Sequence, residues 1–224
     1  MKTPHPSAAP PAFATTPAAS PLPPLNSERI ARRYGSYGVE ILQQTADLRL
    51  SSLYSEHRGQ RTARTLALTR FLPATPPLAA TQQKIRAGGS IGALLKNAGW
   101  HPHKLTLRTE NPSSRRFNQT VQHHMRLTPH PQPLALRLYL LRLSKHSPAH
   151  QIASQTATGP SPDHALDYAL IAELYHPDYL NTAELKTPTT TSTPPTPYQP
   201  QANHLHTTLF TLLGTPRTDT IECL

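Results

Sequence analysis

The sequence predicts one mixed α+β domain between two flanking segments that do not fold, and three observations predict it. A chain of 224 residues suits one domain with tails. Many of its 26 prolines lie near the two ends, among Ala, Ser and Thr, a composition that buries too little apolar surface to offset conformational entropy. Helix starts and strand-like patterns fill the interior. We therefore expect a disordered Pro-rich segment over residues 1–25, a folded domain over 26–181, and a Pro/Thr-rich tail over 182–224 with a short helix or strand at 204–214.

The first half of the interior predicts a short helix followed by strands. Asn26 to Glu28 precedes Ile30 as a helix start does, with a capping side chain and an early acid, and Gly35 ends the helix early. The next segments alternate or are apolar enough for strands, namely residues 39–44, 48–51 and 62–71, with a turn at 56–60. They predict an antiparallel hairpin series with one solvated or ligand-facing side.

Two helices and more strands follow. The predicted helices are 78–87 and 90–97, and the predicted strands are 101–109 and 134–143. Residues 166–175 fit both types of element. Ser161 to Asp163 is typical of a helix start, whereas apolar residues alternate from Leu166 to Leu174 as on one face of a strand.

The glycine-rich run from Gly88 to Gly92 opens the second helix and is a candidate anion site. Glycines let a ligand approach the backbone, and free N–H groups at a helix start attract negative charge. It is not a Walker loop, because no Gly-Lys-Ser/Thr follows, and a preceding helix argues against a dinucleotide fingerprint. A plain helix–helix turn is one alternative. A DNA-binding helix-turn-helix is another, against which the strands and the lack of a long basic helix argue.

Charge is uneven along the chain. Residues 29–145 contain nineteen Lys or Arg and four acids, whereas residues 146–224 contain two bases and seven acids. The net charge of the whole chain is +10. A basic body suggests an anionic partner, either nucleic acid or a small carboxylate or phosphate ligand. The alternative is that the acidic third simply packs beside the basic part.

Composition also predicts the compartment and the cofactors. No run approaches the ~20 apolar residues that cross a bilayer, and Cys223 as the single cysteine suits a reducing compartment, so we expect a cytoplasmic protein without a membrane span. The thirteen histidines accompany abundant Gln, Pro, Thr and Leu and only two valines, which indicates biased base composition. His101 with His103, and His204 with His206, could each supply half of a zinc site on a strand. Because further ligands are not evident, we expect neither metal nor cofactor.

Two residues are candidates for ligand chemistry. Arg64 shares a predicted strand face with Leu66 and Leu68, where a buried guanidinium needs an anionic partner; exposure on the open side of the sheet is the alternative. Glu173 lies on a partly apolar face if its segment is a strand. Such a carboxylate either has a raised pKa and acts as an acid, or pairs with an arginine.

The order of these motifs resembles the chorismate pyruvate-lyase family over about residues 27–180. Ala63-Arg-Thr65 after Gly59-Gln60 is similar to the family's Gly-Gln/Glu-Pro-Trp…Arg-Thr strand. The other similar segments are Ser27-Glu-Arg-Ile30, Val39-Glu-Ile-Leu-Gln43, Gly89-Ser-Ile-Gly92-Ala-Leu-Leu95, Leu136-Arg-Leu138 and Leu170-Ile-Ala-Glu-Leu-Tyr175 with Pro177.

This resemblance implies a chorismate-lyase-like fold, a twisted antiparallel sheet with helix pairs over a closed ligand cavity, in which residues 166–175 are a strand. It implies that Glu173 is catalytic and faces the leaving enolpyruvyl group or the ring hydroxyl. Arg64 would bind the substrate carboxylate, and Ser90 and the backbone near Gly92 would complete the substrate site. The implied reaction converts chorismate to 4-hydroxybenzoate and pyruvate, a step of ubiquinone biosynthesis, without metal or cofactor. A non-enzymatic small-ligand sensor on the same fold and a basic nucleic-acid-binding accessory protein are the alternatives.

Overall fold

The structure is a computed structural model that describes residues 25–73, 75–145, 165–185 and 196–214. The strands are β1 (Gly38–Gln44), β2 (Leu48–His57), β3 (Gln60–Phe71), β4 (His101–Glu110), β5 (Ala135–Ser144) and β6 (Leu166–Tyr175). The α-helices are α1 (Asn26–Tyr34), α2 (Ala79–Arg86), α3 (Ile91–Asn97), α4 (Gln119–Met125), α5 (Thr182–Leu185) and α6 (Gln199–Leu213). The predictions for segments 1–24, 186–195 and 215–224, and the helix start at Ser161 to Asp163, lie outside the described residues.

The six strands form one sheet in the order β1-β2-β3-β6-β5-β4, and each neighbouring pair runs antiparallel. The predicted α+β class and antiparallel sheet are confirmed. The β2–β3 hairpin shows how local sequence sets the register. Arg58 and Gly59 both have positive φ, of 51° and 76°, as the two-residue turn with matching twist requires, and this turn pairs His57 with Gln60.

Residues 166–175 form strand β6, between β3 and β5 at the centre of the sheet. Every residue from Tyr168 to Tyr175 is buried. A central strand covered on both faces reads as a nearly continuous apolar run, and for this reason its sequence pattern fits a helix as well as a strand.

Helices cover both faces of the sheet. On one face α4 and α6 pack against the strands through a large apolar cluster that includes Leu66, Leu68, Val121, Leu205 and Leu209. On the other face α2 and α3 form a second cluster that includes Phe71, Ile85, Leu95, Trp100 and Tyr139. Helix α1 lies over one end of this second face, where Ile30 packs with Tyr175 and Tyr179. No helix within the described ranges is long and apolar enough to span a bilayer.

The packed core extends beyond the boundary expected at residue 181. Ala202, Leu205, Leu209 and Leu213 of α6 are all at most 1% exposed and belong to the cluster on the α4 side. Their spacing of three to four residues forms one apolar helix stripe. Neighbouring prolines and threonines made this segment resemble a tail, but the stripe gives the helix enough apolar surface to pack.

A cavity lined by cations is the candidate functional site

A cavity of about 510 Å³ lies between the sheet and helices α1 and α3. This volume falls in the range of small-molecule sites, about 300–1,000 Å³. Apolar side chains supply part of the wall, including Val39, Leu53, Ile91, Leu141 and Ile171. Of the described residues that line the cavity, five are Lys or Arg and two are acidic, namely Arg29, Arg49, Lys104, Arg137, Arg142, Glu173 and Glu184. Such a wall favours an anionic ligand with an apolar body.

Arg49 on β2 is the most buried cation of this wall, with 1% of its surface exposed. Its Nη1 donates hydrogen bonds to the carbonyl oxygens of Ile85, at 2.7 Å, and Gly89, at 3.1 Å. Within the part of the chain that the structure describes, no carboxylate pairs with it. Burial lowers the pKa of Arg49, yet a guanidinium stays charged in proteins. The cavity therefore contains a buried positive charge that lacks a counter-charge from the described residues.

Two unsatisfied polar atoms lie at the same position in the sheet. Thr69 on β3 is the register partner of Arg49 on β2. Thr69 Oγ1 and Arg49 Nε are buried without a hydrogen-bond partner among the described residues, and each such atom costs about 1–3 kcal/mol. Close to Arg49, the Tyr37 hydroxyl donates to Ser90 Oγ at 3.2 Å. The polar atoms around Arg49 are therefore only partly satisfied by the described residues.

Glu173 on β6 is the centre of a second polar cluster in the cavity and is 4% exposed. Its Oε1 accepts a hydrogen bond from Asn26 Nδ2 at 2.8 Å. Its Oε2 lies 3.0 Å from Lys104 Nζ and 3.5 Å from Arg137 Nη2, and also accepts from the Tyr175 hydroxyl. Four donors therefore compensate the burial of one carboxylate.

The donors around Glu173 decide its protonation state. Burial alone opposes ionisation, but the charges of Lys104 and Arg137 and the hydrogen bonds from Tyr175 and Lys104 outweigh it and lower the pKa of Glu173 to about 2. Of the two interpretations left open by the sequence, the arginine-paired carboxylate is the one found. Glu173 is ionised at neutral pH, so it can accept a hydrogen bond or a proton but cannot act as a general acid.

Lys104 on β4 presents its amine to the cavity. Its side chain is 29% exposed, and Nζ lies 4.5 Å from the centre of the Tyr139 ring as well as beside Glu173. Burial lowers the pKa of Lys104 to about 8; Glu173 opposes this shift, whereas the neighbouring charges of Arg137 and Arg29 add to it. The cavity therefore holds a lysine that loses its proton more readily than an ordinary one.

Helix α1 closes one side of the site through Asn26. The sequence suggested that Asn26 begins this helix as a cap, but the N-cap is Leu25, whose backbone N–H donates to Glu28 Oε2 at 3.0 Å. The Asn26 side chain is instead free to bind inward. Its Nδ2 donates to Glu173, and its Oδ1 accepts from the Tyr179 hydroxyl at 3.1 Å. A surface ion pair between Lys96 and Glu28, at 2.7 Å, also joins α3 to α1.

Three of the four predicted site residues line this cavity, namely Ser90, Gly92 and Glu173. An added Cβ at Gly92 would lie 3.1 Å from Leu25 Cδ2, so this leucine side chain would have to shift slightly. Their roles in binding and catalysis stay predictions. Arg64 is not among the lining residues.

A β-bulge explains where Arg64 lies. In the β2–β3 ladder Ala63 pairs with Tyr54 and Thr65 pairs with Leu53, which leaves Arg64 as an extra residue. A bulge re-aims its side chain. The alternation predicted that Arg64 shares a strand face with Leu66 and Leu68, and because of the bulge it does not. Its guanidinium lies over the Tyr34 ring of α1, 3.8 Å from the ring centre, and Nε donates to Ser55 Oγ at 2.8 Å. The assignment of Arg64 as the carboxylate-binding residue stays a prediction, and the cavity presents Arg49 for that role.

Sequence reasoning missed Arg49 and Lys104. Leu48 to Ser51 was assigned to a half-buried strand, in which Arg49 would face solvent. The alternation gives no sign that a second helix layer also covers the polar face of this strand, where Arg49 and Ser51 are both buried. Within the described ranges no three His, Cys, Asp or Glu side chains form a possible metal site. Comparison of the chain with protein-family models, with curated proteins and with solved structures finds no match.

Proposed function

We propose that this protein binds a small cyclic or aromatic carboxylate in the cavity between the sheet and helices α1 and α3, as a chorismate-lyase-like protein. The observation that carries the proposal is the buried guanidinium of Arg49, which lies in the cavity wall without a carboxylate partner among the described residues. A buried cation is costly unless an anion compensates it. A ligand carboxylate supplies that compensation.

The surroundings of Arg49 favour a carboxylate on a ring. Nη1 keeps its two backbone carbonyls, so the ligand would use the rest of the guanidinium. Thr69, the register partner of Arg49, also lines the cavity. Apolar side chains such as Val39 and Ile171 line the space beyond and suit a flat hydrocarbon ring better than a sugar or a phosphate ester.

The other end of the cavity suits a hydroxyl or a second anionic group. Strands β2 and β6 are separated by one strand, so Arg49 and Glu173 belong to strands about 10 Å apart. Ionised Glu173 can accept a hydrogen bond from a ring hydroxyl. Arg29, which also lines the cavity, can neutralise a second carboxylate. A cyclic compound with one anionic group at each end, such as chorismate, matches this distribution of charge.

The reaction proposed for this site is the elimination of pyruvate from chorismate. The bond between the ring and the enolpyruvyl oxygen breaks, and the ring loses a proton as it becomes aromatic. A proton is returned to the leaving enolpyruvate, which tautomerises to pyruvate, so 4-hydroxybenzoate and pyruvate form without an added oxidant or reductant. Because the product ring is aromatic, the elimination is strongly favourable. The protein needs mainly to hold the dianion in a reactive conformation and to exclude water, which are tasks for a cavity with fixed cations.

Incubation of the purified protein with chorismate tests the proposal, with 4-hydroxybenzoate measured by chromatography against a sample without protein. Calorimetric titration with 4-hydroxybenzoate measures binding separately. We expect product formation above the uncatalysed rate and one bound ligand per chain. Binding without turnover would support the carboxylate site, reject the lyase reaction and favour the ligand sensor. Absence of both product and binding would overturn the proposal.

A further inference from the structure

Lys104 is an amine in the cavity wall that is ion-paired with Glu173. The buried charge of Glu173 does not depend on this ion pair for compensation. Glu173 already receives hydrogen bonds from Asn26, Arg137 and Tyr175. The charge of Arg137 also lies close enough to lower the pKa of Lys104. If Lys104 loses its proton, Glu173 keeps one cation and two neutral donors. The ammonium is therefore the member of this cluster that can give up its charge at least cost.

Among the described residues, the charged and aromatic groups that act on Lys104 come from three elements. Glu173 approaches from β6, Arg137 and Tyr139 from β5, and Arg29 from α1. Two of these are cations and one is an anion, and the Tyr139 ring is an apolar surface for the lysine stem. A lysine among other cations in a partly apolar site is the arrangement that activates an amine as a nucleophile.

We propose that Lys104 forms an imine with the carbonyl group of an oxo acid bound in this cavity. The inference rests on the proposed function, because the cavity arginines must hold the carboxylate of that oxo acid. It goes further by assigning a covalent step to Lys104 and by naming the ligand class as a small carboxylate that also carries an aldehyde or ketone. Pyruvate, which the proposed elimination releases, belongs to that class.

The step balances without an oxidant or reductant. The ammonium of Lys104 first gives a proton to solvent. The free amine adds to the carbonyl carbon to give a carbinolamine, which loses water and leaves a C=N bond. On protonation the imine becomes a cation at the position of the former ammonium, so the ion pair with Glu173 forms again. Glu173 therefore stabilises both the resting lysine and the protonated imine.

Reductive trapping tests the proposal on the full-length protein. The probes are pyruvate and 4-formylbenzoate, each with cyanoborohydride at pH 7, followed by intact mass and peptide mapping. Benzaldehyde, which has the same aldehyde but lacks the carboxylate, is the control for 4-formylbenzoate. With a pKa of about 8, roughly a tenth of Lys104 is uncharged at pH 7, against far less than 1% for a lysine of ordinary pKa near 10.4. We expect at least tenfold more label on Lys104 than on Lys96, and at least tenfold more with 4-formylbenzoate than with benzaldehyde.

Two variants and one competitor complete the test. Lys104→Arg keeps a cation beside Glu173 and must abolish the label, while Lys96→Arg, at an exposed ion pair, must leave it unchanged. Excess 4-hydroxybenzoate should suppress labelling. Lys104→Met serves if the arginine variant fails to fold. Equal labelling of Lys104 and Lys96, or no labelling of Lys104 in a protein that binds 4-hydroxybenzoate, would overturn the imine and leave the proposed function intact. Failure of 4-hydroxybenzoate to bind would overturn the proposed function instead.

Discussion

Arg49 Nη1 donates a hydrogen bond of 3.1 Å to the carbonyl oxygen of Gly89. This contact ties the buried cation of strand β2 to the turn between α2 and α3, which carries Ser90 and leads into α3 with Gly92. The second bond of Nη1, to Ile85 at 2.7 Å, holds the end of α2. One side chain therefore positions both the charge that we assign to carboxylate binding and the turn that closes over it.

Substitution of Arg49 should weaken carboxylate binding far more than substitution of Arg64. Lysine at position 49 keeps the charge but loses the planar donor pair that matches a carboxylate. A lost hydrogen bond to a charged group is worth about 1.5–3 kcal/mol, so we expect Arg49→Lys to bind 4-hydroxybenzoate roughly 10- to 100-fold more weakly. Arg64→Lys should change the affinity less than about threefold, because Arg64 lies outside the cavity lining. Titration calorimetry measures both.

The reverse ranking of these two variants would contradict the assignment of Arg49. It would restore Arg64, the residue that the sequence predicted, as the carboxylate-binding group. Circular dichroism of both variants is the control, since Arg49 also holds the α2–α3 turn.

Glu173 should make the protein sensitive to acid in a defined pH range. Its pKa is about 2 in the folded protein and about 4.3 when unfolded. Because the folded value is lowered, the stabilisation is complete above about pH 4.3 and is lost as pH falls toward 2, at most about 3 kcal/mol in total. Urea unfolding of wild type and Glu173→Gln between pH 7 and pH 3 measures the difference in slope.

The matched control is Glu56→Gln, which removes a surface ion pair with Arg61. The Glu56 side chain is 43% exposed. Such pairs contribute little, so this variant should follow the wild-type pH profile. An unchanged slope in Glu173→Gln would show that the Glu173 cluster does not hold an ionised carboxylate.

Asn26→Asp should destabilise the protein at neutral pH, and acid should reverse part of the loss. The new carboxylate would lie where Asn26 Nδ2 now donates to Glu173 at 2.8 Å, so two negative charges would meet in a buried site. We expect a loss of about 2–4 kcal/mol at pH 7 that shrinks as pH falls toward 5. Thermal unfolding at pH 5, 6 and 7 measures it, with Asn26→Ala as the uncharged control. A loss that does not depend on pH would argue against this contact.

A buried leucine of helix α6 should contribute as much to stability as a core residue between positions 26 and 181. Leu209 is fully buried, and removing such a side chain costs about 2–5 kcal/mol. Leu209→Ala should therefore lower the unfolding free energy by that amount. Thr211→Ala, on the exposed face of the same helix, should change it by less than about 0.5 kcal/mol. Equal, small effects would mean that this helix is peripheral to the fold.

The sequence predicted elements better than it predicted side-chain directions. The glycines at 35 and 99 have φ of 77°, and they correctly marked helix ends because few other residues adopt that conformation. The bulge at Arg64 left no comparable signal, since it depends on how β3 pairs with β2. Once a bulge shifts the alternation, every face assignment on one side of it reverses.

The charged site was harder to predict for a related reason. Glu173 was found because a carboxylate inside an apolar strand is unusual. Arg49 looked ordinary in an alternating strand, and only the second helix layer makes its position buried. The spacing of Leu205, Leu209 and Leu213 is visible in the sequence as an apolar helix stripe. The prolines and threonines around it nevertheless favoured a domain boundary at residue 181, before this helix.

The most direct test of the carboxylate site compares two ligands on the wild-type protein at pH 7. Titration calorimetry with 4-hydroxybenzoate should give one site per chain. In 4-hydroxybenzyl alcohol a neutral hydroxymethyl group replaces the carboxylate, and the loss of the charged contact to Arg49 should weaken binding by about tenfold or more. Equal affinity for the two compounds, or no binding of 4-hydroxybenzoate, would contradict the account.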